Sequence, residues 1–173
     1  MKKTKKITLS AMLSALSVVL LWLGSAVQVL DLSAAVLSSF AVIFAQIELR
    51  PPYSYLIWIT TSLLSFLLPL PNKVAALYYA GFCGIYVILK AYIERLRPPL
   101  SWVVKIFVFN LLFIGICAVN LWVFTPDFRP EKWLIVAVLA LGNVAFVCYD
   151  LAVSMCISFY FARLRGRILK FLK

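Results

Sequence analysis

Histidine is absent from the 173-residue chain, and only six aspartates and glutamates are present. The chain therefore lacks the commonest metal ligand and the usual general base, which argues against an enzyme and against a bound metal. The Gly-x-x-x-x-Gly-Lys-Ser/Thr signature of ATP-binding loops is also missing. Any ATP-driven step would have to come from partner proteins, and no cofactor is expected.

Cysteine is sparse and has no motif. Each of the four cysteines lies within an apolar run, and no Cys-x-x-Cys pair occurs: Cys83, Cys117, Cys148 and Cys156. We interpret them as small apolar packing residues rather than as disulfides or metal ligands.

Charged residues make up only 13% of the chain, whereas hydrophobic residues make up 65%. A soluble domain is about half apolar and about a quarter charged. This excess indicates an integral membrane protein with no long hydrophilic module. The formal net charge of +11 comes from cations at segment ends, which indicates membrane topology and anionic lipid rather than nucleic acid.

The apolar runs predict an all-α polytopic protein, because a membrane span needs about 20 apolar residues. We expect a single transmembrane domain, residues 1–173, with both termini cytoplasmic. The basic N-terminus resembles a signal peptide, but the apolar run behind it is long enough to span, so we interpret it as a retained helix. Six spans are predicted, near 7–29, 33–49, 53–68, 74–93, 101–124 and 133–162.

The lysines and arginines predict the orientation. With the N-terminus inside, nearly all of them fall at inner segment ends, and only Lys73, Arg129 and Lys132 fall outside. Such a bias places the cation-rich ends in the cytoplasm. Pro51-Pro52 and Pro98-Pro99 mark inner helix boundaries, since proline cannot continue a helix. The sequence Leu30-Asp31-Leu32 is interpreted as a very short first outer turn.

Polar and aromatic residues concentrate in the predicted outer half, which suggests a small-molecule site with a few convergent polar groups. The alternative is that Tyr and Trp form an interfacial belt and that the Asn residues join helices. The candidates are Gln28, Asn72, Lys73, Tyr78, Tyr79, Asn120, Trp122 and Asn143.

Two charged residues lie within apolar segments. Lys90 is either part of an ion relay or, with Glu94 one turn away, an i,i+4 pair whose stem reaches the cytoplasmic interface. Asp150 needs a partner or water at its depth. We expect it to pair with Lys90 or Lys105, or to serve in energy coupling.

The first helix carries an Ala-x-x-x-Ala motif. Ala11 and Ala15 lie on one helix face, and Ser10, Ser14 and Ser17 widen the strip of small residues. Such a face allows close approach of another helix. The approach is either to a partner protein or within the bundle itself.

The basic N-terminus followed by Ile7-Thr-Leu-Ser-Ala11-Met-Leu-Ser-Ala15 resembles the opening of substrate-binding S components of energy-coupling-factor (ECF) vitamin transporters. That family has six helices, cytoplasmic termini and a similar length. The resemblance implies that Ala11 and Ala15 dock onto a transmembrane T subunit powered by two ATPases. It implies uptake of a vitamin-like solute across a bacterial cytoplasmic membrane. The short first turn departs from the longer loop that closes over the ligand in many S components.

Two other readings stay open. The chain also resembles the small polytopic rod-shape protein MreD, which would make it a non-transporting scaffold whose basic ends recruit partners. A lipid-handling protein is the third reading, although no acid–base pair supports it. If the chain binds a solute, the outer cations Lys73, Arg129 and Lys132 suggest a carboxylate or a phosphate on it.

Overall fold

The computed structural model of the protein describes residues 3–49, 51–68, 71–124 and 131–164, with the main chain alone at 28, 98, 124, 132 and 164. Throughout these ranges the chain is helical, and no strand occurs within them. Five helices are long and apolar enough to cross a membrane. The predicted all-α, multi-pass membrane protein is confirmed at this level.

The helices follow one another with short connections. We number them α1 Lys3–Ala26, α2 Asp31–Glu48, α3 Pro51–Leu67, α4 Val74–Ile93, α5 Pro98–Val119 and α6 Lys132–Phe159. A 3-10 turn, Gln28–Leu30, precedes α2. A π-helical turn, Tyr79–Cys83, lies within α4, and π-helical turns Asn120–Phe124 and Tyr160–Leu164 continue α5 and α6.

The chain forms two compact units, Lys2–Pro126 with α1 to α5 and Asp127–Lys173 with α6. The unit of α1 to α5 contains the packing described below. The predicted single domain over residues 1–173 stays a prediction.

Both proline pairs lie at helix boundaries, as the sequence suggested, but they are the first residues of the following helices. Pro51 opens α3 and Pro98 opens α5, because the first helical turn needs no N–H donor and suits the fixed φ of proline. The predicted boundaries at 53 and 101 were therefore slightly late. The predicted turn Leu30-Asp31-Leu32 was wrong by a few residues, since the turn lies at 27–30 and Asp31 is the first residue of α2.

Helices α1 and α2 pack through small residues. Ser17 Oγ donates to the Ser38 carbonyl at 3.3 Å, and Ser38 Oγ donates to the Ser17 carbonyl at 3.1 Å. A Cβ built on Gly24 would lie 2.1 Å from Ala34 Cβ, so only glycine allows the two backbones to come this close. In a membrane, where burial of apolar area drives little association, such close packing holds helices together.

Helix α4 packs against α3 and α5 through aromatic side chains. Trp58 of α3 lies over Gly84, and its Nε1 donates to the Ala80 carbonyl at 3.1 Å. That carbonyl belongs to the π-helical turn Tyr79–Cys83. On the other side, Phe82 meets Phe109 of α5 edge to face, with ring centroids 5.3 Å apart.

The helices of this unit run up and down, which gives it two chemically different ends. Lys6 of α1 lies 5.6 Å from the ring centroid of Tyr53 at the start of α3, so α1 and α3 run in parallel and α2 runs against them. We call the end with Lys6, Lys90 and Lys105 the basic end. The opposite end, with Asp31, Asn72 and Lys73, is the Asp31 end.

Replacing Gly24 with alanine is expected to destabilise the protein by about 1–3 kcal/mol, because the added methyl group would collide with Ala34 and push α1 from α2. The matched control is Gly115→Ala, since a Cβ at Gly115 meets nothing within 4 Å. Thermal unfolding in detergent measures both variants. A Gly24→Ala protein that melts no lower than the Gly115→Ala protein contradicts this account of the helix pair.

Candidate functional site

The Asp31 end contains a buried carboxylate at a helix start. Asp31 is the first residue of α2 and is only 7% exposed. The N-terminus of a helix carries about half a positive elementary charge and favours an acidic group there. This partial charge offsets part of the free-energy cost of burying the carboxylate. The remaining cost must be offset by hydrogen bonds from neighbouring groups.

Asn72 connects Asp31 to α4. Its Nδ2 donates to Asp31 Oδ2 at 2.8 Å, and its Oδ1 accepts from the Val74 main-chain N–H at 3.0 Å. Asn72 thus accepts from one of the first-turn N–H groups of α4 that have no acceptor within the helix, and it holds the starts of α2 and α4 together. Asn72 was a candidate from the sequence, and the structure shows that its side chain binds Asp31.

The second oxygen of Asp31 is different. Oδ1 is buried and accepts no hydrogen bond from the residues that the structure describes. A buried polar atom without a partner costs about 1–3 kcal/mol, more if it is charged. The site therefore presents one satisfied and one unsatisfied carboxylate oxygen.

Lys73 directs its ammonium group elsewhere. Its Nζ donates to the Phe66 carbonyl at 2.5 Å and to the Leu68 carbonyl at 3.0 Å. These carbonyls belong to the C-terminal end of α3, where a cation meets the negative end of the helix dipole. Lys73 thus stabilises the end of α3, although the sequence suggested it as a solute ligand.

The two neighbouring tyrosines take different environments. Tyr78 is half-buried on the first turns of α4. Tyr79 is fully buried. Its hydroxyl faces Thr61 of α3 but forms no hydrogen bond of normal geometry with the described residues.

The other candidates from the sequence are spread more widely. Asn120 is half-buried at the start of its π-helical turn, and Trp122 is 85% exposed, as expected of an aromatic belt residue. Asn143 belongs to the unit of α6, where its Nδ2 donates to the Leu139 carbonyl at 2.8 Å. The side chains of Gln28 and Lys132, and all of Arg129, lie outside the described residues.

At the basic end, one carboxylate binds two lysines. Glu94 Oε1 lies 3.2 Å from Lys90 Nζ and 3.0 Å from Lys105 Nζ. The predicted i,i+4 pair of Lys90 and Glu94 is confirmed, although Lys90 is only 2% exposed and Glu94 is the more accessible partner. Asp150 belongs to the unit of α6, so its pairing with Lys90 or Lys105 stays a prediction.

Helix α1 has two distinct faces. Ser10, Ser14 and Ser17 are buried, and Ser14 Oγ lies 2.9 Å from Thr60 Oγ1 of α3. Ala11 and Ala15 are exposed. Internal packing is therefore carried by the serines, and the face with the two alanines is left uncovered by the described residues.

Comparison with protein-family models, with curated proteins and with solved structures finds no match for this chain. The site must therefore be judged on its own chemistry. The central residue missing from the sequence candidates is Asp31, one of only six acidic residues. Because acidic residues are rare in this chain, the presence of Asp31 at the cation-poor end was the available signal. The residue was assigned to a turn and therefore was not included among the candidates.

Replacing Asn72 with aspartate is expected to destabilise the protein by about 1–3 kcal/mol, because the donor to Asp31 is lost and two carboxylates meet. Combining it with Asp31→Asn is expected to recover most of that loss, since the introduced amide faces the introduced carboxylate. A double-mutant cycle of chemical unfolding measures the coupling. Additive effects of the two changes contradict the direct contact.

Proposed function

We propose that the chain is the substrate-binding subunit of an ECF-type uptake transporter in a bacterial cytoplasmic membrane. It holds a small vitamin-like solute at the Asp31 end of a six-span bundle with cytoplasmic termini. Partner ATPases energise the uptake through a transmembrane T subunit. Anionic lipids neutralise the basic end.

The six-span arrangement includes α3, which is 17 residues, or about 25 Å, long. Its outward face is apolar: Ile59, Leu63 and Leu67 are 52%, 65% and 77% exposed. The opposite face, with Ser54, Thr61 and Ser65, is buried. This pattern suits a short helix with lipid on one side and packed helices on the other.

The observation that carries the proposal is the division of α1 into two faces. Small residues that pack against other helices of the same chain are expected to be buried. Three serines of α1 meet this expectation: Ser10, Ser14 and Ser17. Ala11 and Ala15 are exposed between the larger side chains of Met12 and Leu16, which are 66% and 55% exposed. A shallow, small-residue surface of this kind supports docking of a partner transmembrane helix.

The chemistry of the two ends supports the direction of transport. Lysines concentrate at the basic end, and the positive-inside rule favours a cytoplasmic position for it. The Asp31 end then faces the solute supply. Its buried Asp31–Asn72 pair, with the half-buried Tyr78 on the first turns of α4, supports a small-molecule site built from a few polar and aromatic groups.

The test is to replace both Ala11 and Ala15 with leucine. Two bulky side chains hold a docking helix further away, so we expect at least a tenfold loss of co-purified ATPase subunits and of ATP-dependent uptake. Affinity purification from the native membrane, with mass spectrometry of the captured proteins, measures assembly. The wild-type protein is expected to bring an ATPase pair and a T subunit.

The matched control is Ala26→Leu, an exposed alanine at the other end of α1, which is expected to leave assembly unchanged. A melting temperature equal to that of the wild type shows that the double variant is folded. Capture of cell-wall machinery without any ATPase would favour the MreD-like scaffold. Unchanged capture by the double variant would remove Ala11 and Ala15 from the interface.

A further inference from the structure

We propose that the Asp31 end binds the solute through a cationic ammonium-type group, which donates to Asp31 Oδ1. This inference rests on the proposed function and specifies its substrate class. It differs from the anionic solute that the outer lysines and arginine suggested from the sequence. The charge that the structure buries at this end is negative, and Lys73, which follows Asn72, donates to main-chain carbonyls instead.

The first step is the state of Asp31 itself. The residue is more than nine-tenths buried, at 7% exposure. Its Oδ2 receives a neutral amide donor from Asn72, and its Oδ1 receives no donor from the described residues. A carboxylate in this position is stabilised most by a cationic donor, because the two opposite charges attract each other in addition to sharing the hydrogen bond.

The second step is the absence of a described counter-ion. Lys73 follows Asn72 directly, yet its Nζ binds the Phe66 and Leu68 carbonyls. The ion pairs found among the described residues of this unit lie at the basic end, on Glu94. A cation from the solute would therefore meet a carboxylate that no described lysine or arginine neutralises.

The third step separates an organic cation from a metal ion. No group of three histidine, cysteine, aspartate or glutamate side chains occurs among the described residues. Hard metal ions take six or more oxygen ligands, and Asp31 offers one unused oxygen. An ammonium group can donate one N–H to that oxygen without a full set of oxygen ligands around it.

The fourth step is the sign of the charge. A buried carboxylate attracts an ammonium group and repels a phosphate. Tyr78, on the first turns of the same α4 whose start Asn72 holds to Asp31, is half-buried. An aromatic ring attracts an organic cation placed over its face, so this residue suits the same class of solute.

The experiment is a thermal-shift titration of the purified full-length protein in detergent. The probes are methylammonium, ethanolamine and benzylammonium chlorides, each of which carries N–H donors, and their anionic counterparts are acetate, benzoate and phosphate. Sodium chloride at equal ionic strength is the baseline. We expect at least one amine to raise the melting temperature of the wild-type protein, and the anions to leave it at the baseline.

The deciding variant is Asp31→Asn, which keeps the shape and removes the charge. Loss of a charge-assisted hydrogen bond is worth about 1.5–3 kcal/mol, so we expect the amine to bind about 10- to 150-fold more weakly. Glu48→Gln is the control, because it makes the same chemical change at the other end of α2. It is expected to bind the amine like the wild type.

Three outcomes overturn the inference: no amine binds, an amine binds equally to Asp31→Asn, or an anion binds more tightly than every amine. The last outcome leaves the proposed function standing, since the protein would still bind a solute at this end. Failure of the proposed function is seen separately, as a wild-type protein that captures no ATPase from its own membrane. An amine that binds only when Asp31 is present supports the inference.

Discussion

The close contact between α1 and α2 is the constraint on which the rest of the unit depends. Gly24 allows the two backbones to approach at Ala34, and Ser17 and Ser38 exchange hydrogen bonds across the interface. A short 3-10 turn joins the two helices, and α2 begins immediately after it. Asp31 is thereby fixed at the start of α2, next to the beginning of α4, where Asn72 reaches it.

The same contact leaves the other face of α1 available. Because the serines satisfy their hydroxyls within the unit, the alanines between them are not needed for internal packing. The unit thus separates three features in space: the buried Asp31–Asn72 pair at the Asp31 end, a small-residue face along α1, and a lysine-rich basic end. A solute-binding subunit that docks on a partner requires such a separation.

Hydrophobic run length and proline position predicted the helices well, because both act locally. The Lys90–Glu94 pair was also predictable, since it lies one turn apart on one helix. The Asp31–Asn72 bond joins residues 41 positions apart, and the sequence could not show it. Nor could the spacing show that Ser14 is buried and Ala15 is exposed, because burial depends on which side of α1 the neighbouring helices cover. The hydrogen bond from Trp58 of α3 to the π-helical turn in α4 likewise joins residues 22 positions apart.

The central claim is that the Asp31 end receives solute from outside the cell. The most direct measurement is labelling of intact cells with a membrane-impermeant thiol reagent, in a background without the four native cysteines. The reporters are Pro71→Cys, between α3 and α4, and Leu96→Cys, between α4 and α5. The account predicts that the first is labelled on intact cells and the second only after permeabilisation. The reverse pattern would contradict it.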